Sequence, residues 1–165
     1  MQVKILKALS DYRIIDVHNL KTEETTDKIV ALWQRNAILP SGTDPYLRAS
    51  QVVTAALNKH DEIVGVVTVY PHTLSVPIKL KGKHVYVYRQ FIQRQDQQFS
   101  IMHALSDEAV KLLDNTPGMD GLFMQTENRK MMRSGFRKYF RRRGFELIDA
   151  PKIPEDVWYR DYSKV

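Results

Sequence analysis

The sequence contains no cysteine, which excludes disulfides, thiolate zinc sites and a cysteine nucleophile together. It also fits a reducing compartment, and a cytoplasmic location is the expectation. No apolar run approaches the roughly 18 residues that would suggest a membrane span, and Met1 to Lys7 holds too short an apolar stretch for a signal peptide. A membrane partner is therefore not expected. Five histidines, His18, His60, His72, His84 and His103, show no HExxH-type spacing, so no metal is expected either. There is no GxSxG elbow, no Walker loop, no internal repeat and no low-complexity tract. Glycine is scarce, seven in 165 residues, and none lies between Gln93 and Met102.

What remains is the composition of an ordinary globular chain, 43% hydrophobic and 27% charged, of a length that one domain spanning 1–165 would use. The formal net charge is +6, and its distribution is uneven. Arg129 to Arg143 carries eight Lys or Arg and no acid, leaving 17 basic against 19 acidic residues elsewhere. A concentrated cationic element attracts a polyanion, whether coenzyme phosphates, a nucleic acid or an acidic protein surface; a solvated helix face is the plainer alternative.

In chain order, Val3–Ala8 and Tyr12–Val17 both read as strands, with the second preferred as the first strand of the sheet. Thr22-Glu23-Glu24 starts a helix whose stripe of Ile29, Val30, Leu32, Trp33 and Ala37 runs to Leu39. Thr43–Arg48 is polar and turn-rich, with Pro45 barring a strand interior. Gln51–Asn58 and Glu62–Tyr70 form a hairpin around Lys59-His60-Asp61. His84–Ile92 is a further strand, placing His84, Tyr86 and Tyr88 on one face. Asp96 sits as an N-cap before a helix striped by Phe99, Met102, Leu105, Ala109 and Leu112.

The segment that organises the chain is Gly121–Ile148. Gly121–Gln125 reads as a buried strand and Arg129–Arg143 as one helix. At about 100° per residue, Met132, Phe136, Tyr139 and Phe140 share one arc, opposite Lys130, Arg133, Arg137, Lys138 and Arg141. Gly144 stops the helix in a left-handed C-cap, and Phe145–Ile148 begins another strand. Pro151–Val165, with Trp158, Tyr159 and Tyr162, is left to pack on the sheet edge or on a neighbouring subunit, which would make a homodimer.

Tyr139-Phe140-Arg141-Arg142-Arg143-Gly144-Phe145, with the element order from about Tyr12 to Ile148, resembles the GCN5-related N-acetyltransferase (GNAT) superfamily. The resemblance implies an α/β (α+β) fold: a mixed, mostly antiparallel sheet with helices on both faces. It also implies acetyl-CoA as coenzyme, bound in a slot between splayed strands, and an amine acceptor of unknown identity. The family pattern of Arg or Gln, two residues, Gly, one residue, Gly or Ala is not restored in any register of Gln93 to Met102. The coenzyme contacts implied are Phe91, Ile92, Arg94, Gln95, Gln97, Gln98, Phe99 and Ser100, with Asn128 toward the pantetheine arm. For the chemistry, His84 or Glu127 is the base to deprotonate the amine. Tyr139 is the acid for the leaving thiolate, although the family's tyrosine position falls on Phe140; a core aromatic is its alternative role.

Three functions remain open. The first is acyl-CoA-dependent N-acyl transfer. The second is nucleobase modification on the same fold: Ser100 after Asp96–Phe99, together with Gly135–Phe145, resembles the phage Mom-type DNA-modification proteins, and Arg133, Arg137, Lys138 and Arg141 would hold a nucleic acid. The third is a non-catalytic binding or structural protein on this scaffold.

Overall fold

The computed structural model describes residues 2–75, 78–126, 132 and 134–165. Eight strands and four helices follow in the order β1 (Ile5–Ala8), β2 (Arg13–Asp16), α1 (Glu23–Asn36), α2 (Pro45–Ser50), β3 (Val52–Leu57), β4 (Ile63–Thr73), β5 (His84–Ile92), α3 (Phe99–Leu113), β6 (Gly121–Gln125), α4 (Ser134–Arg142), β7 (Glu146–Ile148) and β8 (Val157–Asp161). The strands form one mixed, mostly antiparallel sheet in the order β1-β2-β3-β4-β5-β6-β8-β7. Strands β5 and β6 pair in parallel. The chain divides into two compact units: residues 1–69 with 89–112, and residues 70–88 with 113–165.

In the first unit, β3 is buried along its whole length and β4 as far as Val69. Such uninterrupted apolar strands are those covered on both faces. Ala55 and Val66 join Ile29, Val30, Leu32 and Trp33 of α1 in one core cluster. Their neighbours Thr54 and Gly65 point the other way: the Thr54 hydroxyl donates to Leu105 O at 3.0 Å, and the Leu105 side chain crowds Gly65. Helix α1 therefore covers one face of this unit and α3 the other.

Thr22 caps α1 through its side chain, with Glu23 and Glu24 in the first turn. The helix ends at Asn36, three residues earlier than Leu39, because Ala37 takes a left-handed C-cap at φ 50°. Thr43–Arg48 is not a loop throughout. Asp44 caps Tyr46 N and Pro45 occupies the first turn of α2, a position where proline's missing N–H is no loss. Both N-terminal runs form strands.

In the second unit, β8 lies between β6 and β7, so the C-terminal segment is internal to the sheet rather than on its edge. Val157 and Tyr159 join Leu74, Leu80, Val85, Phe123 and Ile148 in a core cluster. Trp158, fully buried between them in sequence, faces the other side and meets Phe140 of α4 with ring centres 5.1 Å apart and planes tilted by 48°. Phe145 meets Phe140 at 6.3 Å. Gly144, at φ 81°, gives the helix its left-handed stop.

Candidate functional site

The β5–α3 junction of the first unit holds most of the residues proposed for coenzyme contact. Strand β5 is nine residues long, yet among the described residues its parallel register with β6 takes only Val85, Tyr86 and Val87 to Gly121, Leu122 and Phe123. The stretch Tyr88–Ile92 lies beyond that ladder. Phe91 is half-buried against the α1 core cluster and Ile92 is buried. Alternation along β5 is broken: Tyr88 is buried while His84 is exposed, so the two do not share an environment despite their spacing.

After β5 the chain makes a 3-10 turn, Arg94–Asp96, and α3 then begins at Phe99. Asp96 is not the N-cap expected of it. The helix starts three residues later, with Met102 N bonded to Gln98 O at 3.0 Å, and both Asp96 oxygens are engaged elsewhere. Tyr12 Oη donates to Oδ1 at 2.7 Å and Gln93 Nε2 donates to Oδ2 at 2.5 Å. The first turn of α3 contains no acid. The leading N–H groups of a helix have no partner within it, and the positive end of its dipole favours an anion. Arg94, Gln95, Gln97, Gln98 and Ser100 are exposed around this helix start, and Phe99 is 64% exposed. Gln97 Nε2 closes the turn on Ile92 O at 3.0 Å.

Gln93, 4% exposed, extends the arrangement inward. Its Oε1 accepts from Arg35 Nη2 at 3.2 Å, Arg35 Nε at 3.4 Å and Asn36 Nδ2 at 3.4 Å, while Arg35 Nη2 also donates to Ile63 O at 2.9 Å. The hydrogen bond to Asp96, with burial and the carboxylate charge adding to it, pushes the Tyr12 phenol up to about 12. Tyr12, Arg35 and Gln93 were not legible as site residues: Tyr12 and Asp96 lie 84 residues apart, and only the fold brings them together.

Of the residues considered for the chemistry, His84 and Tyr139 belong to the second unit. His84 opens β5, exposed, with Nδ1 2.9 Å from Thr73 Oγ1 and its backbone N–H donating to Asp120 Oδ2 at 2.8 Å. Tyr139 belongs to the second unit's aromatic core, 8% exposed, with the Arg143 guanidinium 4.3 Å above its ring centre. Glu127, Asn128 and Arg133 lie outside the described residues. The cationic face of α4 is only partly free for a polyanion. Arg137 forms a two-pronged pair with the buried Asp156 at 2.8 Å for both bonds, and Arg141 lies 5.7 Å over the Trp158 ring centre. Lys138, Arg141 and Arg142 are exposed.

By sequence, the chain matches no protein-family model and no curated relative. By structure it is similar to GNAT-family acetyltransferases. A GNAT-family acetyltransferase from Streptococcus pneumoniae is 14% identical, with 90% of this chain and 97% of that one covered at a TM-score of 0.55. The ribosomal-protein-S5-alanine acetyltransferase from Vibrio fischeri is 11% identical, with 93% of each chain covered at 0.56. Arabidopsis thaliana NAA60, solved with a bisubstrate analogue, is 14% identical, with 84% of this chain and 91% of that one covered at 0.54. The chain thus has the GNAT fold, as the Gly121–Ile148 segment and the element order implied.

Proposed function

We propose that this protein is an acetyl-CoA-dependent N-acetyltransferase acting on an amine. The observation that carries the proposal is the start of α3. A helix N-terminus one turn after β5, with the Asp96 carboxylate tied back by Tyr12 and Gln93, would suit an anion on a fold shared with acetyltransferases. A coenzyme pyrophosphate would meet the start of α3 at Phe99 and Ser100, with Arg94, Gln95, Gln97 and Gln98 as charged and hydrogen-bonding neighbours. Phe91 and Ile92, beyond the β5–β6 ladder, would offer backbone to the pantetheine arm, with Asn128 as a further contact.

The coenzyme supplies the acetyl group as a thioester. The amine attacks the carbonyl carbon, a C–N bond forms and the C–S bond breaks; one proton leaves the nitrogen and one reaches the departing thiolate. Glu127 and His84 are the proposed acceptors of the first proton. Tyr139 is the proposed donor of the second, which requires its hydroxyl to reach the thiolate from the edge of the aromatic core.

Thermal denaturation with added acetyl-CoA tests the reading. At a hundredfold excess over Kd, a ligand that binds only the folded state stabilises it by about 2.7 kcal/mol, a rise in Tm of roughly 5–10 °C for a chain of this size. No rise at millimolar coenzyme would end the proposal.

A second reading, binding or modification of a nucleic acid, is favoured by the charge distribution. Residues 70–88 with 113–165 hold fourteen Lys or Arg against eight acids, whereas the first unit holds eleven of each. On this reading, affinity for a DNA duplex falls steeply with salt and is lost when Lys138, Arg141 and Arg142 are replaced by Glu. A chain that binds neither ligand would be a non-catalytic protein on this fold.

A further inference from the structure

The turn between β5 and α3 has to present backbone N–H groups without the glycines that usually allow close approach and left-handed conformations. Among the described residues, none from Gln93 to Ser100 has positive φ; Gln93 lies at φ −60°, ψ 147° and Gln97 at φ −70°, ψ 101°. The turn is therefore built from ordinary backbone, and its course has to be set by something other than glycine.

Side chains of the turn itself and of two distant segments do this. We propose that Tyr12, Gln93 and Asp96, backed by Arg35 and Asn36, form a positioning device that holds the 94–98 turn in the shape that receives a pyrophosphate, replacing glycine's conformational freedom with a hydrogen-bonded frame. The inference rests on the acetyl-CoA reading above and deepens it.

The frame has two jobs. It fixes the turn from inside: buried Gln93 is bonded at both ends of its amide, to Asp96 on one side and to Arg35 and Asn36 on the other. Arg35 is anchored in turn on Ile63 O. The frame also removes a competitor. A carboxylate free to turn onto the first turn of α3 would accept from the N–H groups there and compete with a phosphate. With Tyr12 on Oδ1 and Gln93 on Oδ2, Asp96 is occupied at both oxygens. The Tyr12 phenol is protonated at neutral pH, as any phenol is, and so remains a donor to Asp96.

These residues act through the turn and touch no reacting atom, so the test must separate the phosphate end of the coenzyme from the rest. Binding of coenzyme A, of 3′-dephospho-coenzyme A and of pantetheine, which has no phosphate, is measured on the full chain and on Tyr12→Phe, with the variant's own Tm recorded. The expected result is an affinity weaker by roughly tenfold for both pyrophosphate ligands, the lower end of what one hydrogen bond to a charged group contributes, with pantetheine affinity unchanged. Unchanged coenzyme A affinity in the variant overturns the inference. So does an equal loss for pantetheine, which would mark general damage to the fold. If the unaltered protein binds no coenzyme A at millimolar concentration, the acetyl-CoA reading itself is what fails. Should Tyr12→Phe not fold, Gln93→Met, which is close in size and releases both Asp96 Oδ2 and the Arg35 side of the frame, supplies the same comparison.

Discussion

Two phenols with different partners show how the fold holds a proton in place. Tyr12 donates to the Asp96 carboxylate, and that bond is the main reason its pKa rises to about 12. Tyr159 reaches the same value chiefly through burial, with Asp161, Asp120 and Glu146 adding negative charge; its hydroxyl donates to Asp120 O at 3.1 Å. In both, the folded state favours the protonated form over the usual value of 10.0. Their contribution is therefore fully present below about pH 10 and drains away as pH rises toward about 12. Melting temperatures measured from pH 9 to 12 should fall in that window, and the fall should be shallower in Tyr12→Phe and in Tyr159→Phe. A slope identical to wild type in both variants would contradict the assignment.

At the scale of the element, the second unit is set by how closely β6 and β8 approach. A Cβ added at Gly121 would run into Arg160 O and lie 2.7 and 2.9 Å from the Tyr159 ring, where the opposing atoms are backbone and a packed aromatic that cannot give way. Gly118 has an unfavourable φ of 81° for a side chain, but nothing within 4 Å of an added Cβ. The two substitutions separate crowding from conformational strain. Gly118→Ala should cost about 1 kcal/mol, whereas Gly121→Ala should cost about 3 kcal/mol, a fall of roughly 6–12 °C in Tm.

The same unit shows what a sequence can reveal and what it cannot. Strands β5 and β6 were readable to the residue because apolar and β-branched runs end at sharp polar breaks. Gly144 was readable because a glycine after a cationic, aromatic helix has one obvious use. Strand β8 was not, since Pro151 and Pro154 precede it and nothing in Val157-Trp158-Tyr159 says that it will insert between two earlier strands. Helix α2 was misread although its signal, Asp44 before Pro45, was present: proline was weighed as a strand breaker when it was acting as a helix start. At the site, the cationic and glutamine-rich turn was legible by resemblance to a loop, but the frame that shapes it was not. A buried glutamine and an exposed one look alike in sequence, and Gln93 is the buried one.

For the whole molecule, the decisive fact is how the chain is threaded through the two units. The first is not complete until residues 89–112 return to it, and β4 and β5 each begin in one unit and end in the other. Strands shared along the chain in this way are expected to make the two units unfold together. Each unit also carries its own reporter: Trp33 is 3% exposed within the α1 core cluster, and Trp158 is fully buried beneath α4. Trp33→Phe and Trp158→Phe leave one tryptophan apiece. Urea titrations of the two variants, followed by fluorescence and by far-ultraviolet circular dichroism, should give within each variant one transition with coincident midpoints from the two probes. A fluorescence midpoint well below the dichroism midpoint in either variant would mean that the unit carrying that tryptophan opens first, and that the shared strands do not couple the two.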